Sequence, residues 1–176
     1  LSPTYYQVTP VINDGNWHNL VLTYDHSASL FKAYTDGIET YSATYSQPST
    51  GMNLKYIGTT AYSGGAHSKW EGRLSNAAIW NTALTPAQVS TLFNFGTPET
   101  NISFSPTAWW ELDNTTTGIQ DSSGNGYNGT NNGATQVNTS VAVVPSWKIP
   151  SSLPITSTPN YTTALDFDGV NDYITA

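Results

Sequence analysis

Residues 14–25 read DGNWHNLVLTYD, and the spacing of their apolar side chains decides the fold class. Leu20, Leu22 and Tyr24 fall on one face; Trp17, Asn19, Val21 and Thr23 fall on the other. That is the two-residue period of a β-strand. The Asp14-Gly15 pair ahead of it supplies a turn. Outward from this strand, His26–Ser29 is a polar connection and Ser29–Thr35 the next strand. Asp36-Gly37 predicts a tight hairpin turn, because glycine tolerates the positive φ such turns demand. Ile38–Tyr45 is the return strand, and Gln47–Gly51 a loop holding Pro48.

Leu54–Gly58 reads as a short strand, followed by a glycine-rich polar loop, Thr59–Ser68. In WEGRLSNAAIW, residues 70–80, Trp70, Gly72 and Leu74 share one face, but the later apolar residues are Ala77 and Ile79. One extra residue near Ser75-Asn76 restores the alternation, which predicts a β-bulge there. The helical signal spans residues 84–95. Thr85 is its N-cap, Pro86 takes the first helical position, and Gln88 completes a capping box. Leu84 and Val89 are placed for a hydrophobic staple, and Gly96 and Pro98 end the helix.

The composition then shifts. Residues 97–108 are linker-like, and AWWELD, 108–113, reads as a strand. DSSGNGYNG, 121–129, is loop chemistry. Pro145–Pro159 holds too many prolines for a central strand. ALDFDGVNDYITA, 164–176, predicts two short strands around a turn at Gly169.

Bulk properties exclude several function classes. The chain has 176 residues, of which 10% are charged, against about a quarter in ordinary domains. Ser, Thr, Asn, Gly and Tyr fill the difference, as in an all-β protein surfaced with hydroxyls and amides. The net charge of −7 and the absence of any Lys/Arg cluster leave no footprint for nucleic acid. No apolar run is long enough to predict a membrane span. Cysteine is absent, which excludes thiolate zinc sites and thiol nucleophiles. Residue 1 is Leu and no signal peptide is visible, so the chain reads as a processed or excised piece of something longer.

The ordered series DGNWHNLVLTYD, SLFKAYTDGIE (29–39), LKYIG (54–58) and WEGRLSNAAIWNTALTPAQVSTLFN (70–94) resembles the C-terminal half of a laminin G/pentraxin-like domain of the concanavalin A-like superfamily. AWWELDNTTTGIQDSSGNGYNGTNNGAT (108–135) and ALDFDGVNDYITA are similar to the opening of the same fold. The resemblance implies an all-β, antiparallel jelly-roll β-sandwich with one short capped helix near 86–94. Its halves stand in reversed order: 1–96 is the C-terminal half, 97–106 a linker, and 107–176 the N-terminal half. The second half is either the start of a next repeat or a permuted partner of 1–96. The family's central strands have no counterpart in the sequence. Completion by a longer parent chain, an adjoining repeat or a self-assembled neighbour is therefore expected, with an array of repeats the favoured arrangement.

The same superfamily hosts glucanases, which need two carboxylates at close spacing. Glu39, Glu71, Glu99 and Glu111 lack partners at the strand spacing that such a pair requires, although Glu111 and Asp113 share a strand face. His18, His26 and His67 are scattered and no nucleophile elbow is present, so the chain reads as non-enzymatic. A structural hydrogen-bonding role is expected of His18.

The resemblance implies calcium as the cofactor. The candidate ligands are Asp121 and Asn125, with Asn128, in the glycine-rich loop, and Asp168 and Asp172, with Asp166 and Asn171, in the closing hairpin. Asp and Asn are also the residues that turns prefer for their own sake. A sugar site needs an aromatic platform with polar neighbours, and Tyr62, His67 and Trp70 supply that character. Asn-x-Ser/Thr sequons stand at Asn101, Asn114, Asn128, Asn138 and Asn160, at the frequency chance gives in so Asn- and Thr-rich a chain. The expected function is a non-catalytic extracellular recognition or adhesion module, binding a glycan or cell-surface ligand, on a cell or virion surface. The alternative is a structural repeat of a fibre completed by neighbouring chains.

Overall fold

The structure is a computed structural model that describes residues 10, 12–45, 54–62, 65–93, 102–138, 163–170 and 172–175, and the side chains of all these except 60–68, 138 and 163. Every strand pairing among them is antiparallel, and the elements are thirteen strands and one short helix. The expected all-β class with a single capped helix is the class observed. The chain divides into two compact units.

The first unit comprises Leu1–Thr50, Thr82–Asn101 and Ala142–Pro159. Its described sheet runs β1 (Leu20–Asp25), β2 (Leu30–Thr35), β3 (Ile38–Thr44) in sequence order. Asp36 and Gly37 both have positive φ, 53° and 77°, the signature of the type I′ turn whose twist matches the flanking strands. Leu22 pairs with Ala33, which pairs with Tyr41; Leu20 pairs with Thr35, which pairs with Ile38. These residues therefore share a face. Ala33 and Thr35 are buried in its middle strand, while Leu22 is 61% and Ile38 70% exposed at its margins. At the other end of that face, the Phe31 ring stands edge-on to Tyr41 and Tyr45, with centroids 6.2 Å apart in each pair. Such cross-strand aromatic pairs contribute roughly 0.5–1 kcal/mol each.

The helix of this unit, α1 (Pro86–Phe93), begins on the predicted capping box. The Thr85 amide donates to Gln88 Oε1 at 2.8 Å, and the Gln88 amide donates to Thr85 Oγ1 at 3.3 Å. Leu84 and Val89 are both buried, closing the staple. Gly96 and Pro98 lie outside the described residues.

The second unit comprises Gly51–Asn81, Ile102–Val141 and Asn160–Ala176. Its strands are β4 (Tyr56–Ile57), β5 (Thr59–Tyr62), β6 (Gly65–Lys69), β7 (Glu71–Leu74), β8 (Ala77–Ile79), β9 (Ala108–Trp110), β10 (Thr130–Asn132), β11 (Thr135–Asn138), β12 (Thr163–Asp168) and β13 (Tyr173–Thr175). They form sheets in the orders β10-β13-β4, β11-β12-β7, β5-β6 and β8-β9. Strands from 108–175 thus pair with strands from 56–79, and the two segments complete each other's sheets. Trp110, Leu112, Leu165, Phe167 and Ile174 are almost wholly buried in one core. Burial of side chains this size stabilises by about 1.5–3 kcal/mol apiece.

Two local expectations are corrected. Residues 59–69 form a hairpin, β5 and β6, with a bulge between Thr60 and Ala61, where a polar loop was expected. The break near Ser75-Asn76 is real but larger than a bulge. β7 pairs with β12, whereas β8 pairs with β9 in another sheet. Asn76, at φ 53°, makes the change of direction. Its amide donates to the Glu111 carbonyl at 2.8 Å, and its Oδ1 accepts from Trp109 Nε1 at 3.0 Å. The segment Pro145–Pro159 lies outside the described residues.

Candidate functional site

Trp70 stands between β6 and β7, at the foot of the β5–β6 hairpin. Its amide donates to the Gly58 carbonyl at 2.8 Å. Its indole Nε1 lies along Gly72, 3.4 Å from where a Cβ on that glycine would sit. A Cβ there would only touch the ring; it is the backbone at φ +134° that favours glycine, and Trp70 beside it is 37% exposed. Tyr62 pairs with Gly65 at the hairpin tip, four residues beyond Gly58. That is about 13 Å along the strand from the Trp70 backbone at 3.3 Å per residue. His67 falls on β6. The side chains of Tyr62 and His67 lie outside the described residues.

β7 continues from Trp70 with a polar outer face. Glu71 is paired with Asp168 and Arg73 with Asp166, which sets these four side chains on the surface opposite the buried Leu165 and Phe167. Arg73 Nε is 3.8 Å from Asp166 Oδ1, an exposed pair that contributes little to stability.

The aspartates nominated as cation ligands are turned to other partners. Asp121 Oδ1 accepts the backbone N–H groups of Trp109 at 3.0 Å and Ser123 at 2.9 Å, and its Oδ2 accepts that of Tyr127 at 3.0 Å. Burial by itself raises the Asp121 carboxyl, but the backbone N–H donors led by Trp109 outweigh it and hold the group at about 2. Asn128 Oδ1 accepts the Asp121 amide at 3.0 Å, and Asn125 Nδ2 donates to the Thr107 carbonyl at 3.0 Å. The closing segment is not a hairpin, since β12 and β13 join different sheets; in the connection between them Asp168 Oδ1 accepts from Val170 N at 2.7 Å. Asp172 Oδ2 accepts from Asp168 N at 2.9 Å, and Asp172 packs against Gly133. Asn171 lies outside the described residues.

Calcium needs several oxygens converging on one point. Among the described residues no group of three or more His, Asp or Glu side chains could hold a metal ion. As placed, these oxygens organise their own loops and do not fit a calcium cage.

What the loop does present is Tyr127, 54% exposed in a run of glycines and asparagines. Its ring passed unnoticed in the sequence because the Gly/Asn density around it signals only a turn. Glu111 is likewise engaged, accepting the Ser122 hydroxyl at 2.8 Å.

His18 bridges two carboxylates: Nδ1 is 2.8 Å from Asp36 Oδ2 and Nε2 is 3.0 Å from Asp14 Oδ1. Asp36 Oδ1 also accepts the Asn19 amide at 2.9 Å. The imidazole therefore ties the turn before β1 to the β2–β3 turn, the structural use expected of it.

No described helix is long and apolar enough to cross a membrane. No solved structure matches the chain. A laminin G family model, described as the concanavalin A-like lectin/glucanases superfamily, matches residues 2–90, about half of the chain. Together with the antiparallel sheets and the capped helix, this match places the protein: it belongs to the concanavalin A-like lectin/glucanases superfamily, as a laminin G-type domain.

Proposed function

We propose that the chain is a non-catalytic recognition or adhesion module that binds carbohydrate, carried on the outside of a cell or virion as part of a larger surface or fibre protein. The exposed Trp70 indole carries this reading. It lies against Gly72 at the foot of the β5–β6 hairpin. A flat exposed apolar ring suits a sugar, whose C–H face stacks on it. The family supports binding in general, since laminin G-type domains are generally non-catalytic. Glycan-array screening of the whole chain tests the reading: retained glycans, weakened by Trp70→Ala, support it. An array without retained spots overturns it.

A second reading is favoured by a different observation. Leu20, Leu22 and Ile38 stand exposed on one face of the β1–β2–β3 sheet. Large apolar side chains exposed together on one sheet face are a feature of a unit completed by a neighbour. Sedimentation velocity separates the two readings: concentration-dependent oligomers that Leu22→Lys dissolves support assembly, and a monomer at all concentrations overturns it.

A further inference from the structure

We propose that the 121–129 loop is a preformed, calcium-independent subsite for a neutral glycan, with Tyr127 as its stacking platform. The inference rests on the carbohydrate-binding reading above and assigns it a second, separate place.

The first observation is a contrast between ring and backbone. The Tyr127 ring is 54% exposed and makes no ring contact among the described residues. Yet its backbone is fixed on both sides. Its amide donates to Asp121 Oδ2 at 3.0 Å, and its carbonyl accepts from the indole Nε1 of buried Trp110 at 2.7 Å. The loop is further clamped to β9, with the Ser122 amide donating to the Trp109 carbonyl at 2.7 Å. A large aromatic surface is thereby held out to solvent on a segment that loses little freedom when a ligand settles on it, the condition for affinity from a small contact.

The second observation is the polar chemistry left over. Asn125 spends its Nδ2 on the Thr107 carbonyl, and among the described residues nothing occupies its Oδ1. Asn128 spends its Oδ1 on the Asp121 amide, and among the described residues nothing occupies its Nδ2. The loop thus offers one spare acceptor at Asn125 and one spare donor at Asn128, the residues that flank Tyr127 closely in sequence, and a hydroxyl both gives and takes a hydrogen bond. A Cβ at Gly124 or Gly126 would meet nothing within 4 Å, so the surface around the ring is open to an approaching chain of sugars.

The charge pattern selects the class of sugar. Residues 102–138 contain Glu111, Asp113 and Asp121 and no Lys or Arg. No residue of this segment offers a cation to pair a carboxylate, which favours neutral hexose or N-acetylhexosamine oligosaccharides over uronates and sialylated glycans. Metal independence follows from Asp121, whose carboxylate takes three backbone N–H groups and so does internally what a bound cation would do for such a loop.

The test is an array of neutral hexose and N-acetylhexosamine oligosaccharides beside uronate and sialylated ones, probed with the whole chain with and without EDTA, followed by calorimetry on the neutral oligosaccharide best retained. Tyr127→Ala is expected to lower affinity about tenfold or more, and Tyr127→Phe to keep most of it. The Tyr127 contacts to the loop are backbone ones, so both variants should melt with the wild type. Unchanged binding by Tyr127→Ala overturns the subsite while leaving the general reading intact. Retention of acidic glycans alone, or loss of binding in EDTA, also overturns it. An array with no retained glycan overturns both the subsite and the general reading.

Discussion

The backbone amide of Trp109 donates to the Asp121 carboxylate across a span of twelve residues, at 3.0 Å, and with the Ser122 amide on the Trp109 carbonyl it seats a surface loop on the core strand β9. Ser123 and Tyr127 add their amides to the same carboxylate. Hydrogen bonds to a charged acceptor contribute about 1.5–3 kcal/mol each when single, and less than their sum when shared. Asp121→Ala is therefore expected to destabilise the fold by roughly 2–3 kcal/mol, read from urea unfolding, and to raise amide exchange across 121–129. A change under about 0.5 kcal/mol would show that the carboxylate is not the anchor. The pH dependence has a definite sign. The folded-state value of about 2 lies below the ordinary 3.8, so this stabilisation is full above about pH 4 and is lost as pH falls toward 2. Asp121→Ala should lack that portion of the acid transition.

His18 predicts the opposite slope. Burial lowers its tendency to hold a proton, but hydrogen bonds to Asp36 and then Asp14 outweigh burial and raise it above the ordinary 6.5. A group whose folded value is raised stabilises fully below the unfolded value and loses that stabilisation as pH climbs through the folded one. Melting temperature should fall from pH 6 toward alkaline pH in the wild type and stay flatter in His18→Gln. At pH 6 the variant should be weaker by about 1–2 kcal/mol, the worth of the lost hydrogen bonds. Parallel pH profiles would rule out the bridge as a stabilising contact.

The capping box at α1 gives a third expectation. Thr85→Ala removes the hydroxyl that accepts the Gln88 amide and should cost about 1 kcal/mol in urea. Thr85→Ser keeps the oxygen and should be nearly neutral. Equal losses from both would place the effect in the Thr85 methyl group.

These cases also mark how far the sequence could be read. The capping box, the Asp36-Gly37 turn and the closing strands around Gly169 were legible because each is decided by chemistry within a few residues. The change of sheet at Asn76 was visible as a break in alternation. Its nature was not, because it depends on Glu111 and Trp109, more than thirty residues away. The hairpin at 59–69 looks like a loop in sequence for a related reason: polar residues pair in a strand when the ladder supplies their partners. Composition found the aspartates but could not say which donors their oxygens face. The carboxylate of Asp121 turns to the backbone N–H of Trp109, which only the fold brings near. Tyr127 was hidden by the glycines and asparagines that flank it.

Gly58 and Phe167 supply the last test, since the glycine that follows β4 lies against the Phe167 ring of β12. Gly58 has φ +88°, and a Cβ there would lie 2.6 Å from the ring of Phe167, which is buried in the core. Gly124 has nearly the same φ, +86°, with nothing within 4 Å. Gly124→Ala should cost only the left-handed backbone strain, about 1–2 kcal/mol. Gly58→Ala carries that strain and must also displace a core ring, adding roughly 1–3 kcal/mol. The two substitutions share one backbone conformation, so the difference between their unfolding free energies isolates the packing of Phe167 against Gly58. Equal costs would show that the ring moves aside freely. A larger cost at Gly58, reduced when Phe167→Leu is added, would establish the contact as one that holds the second unit's core together.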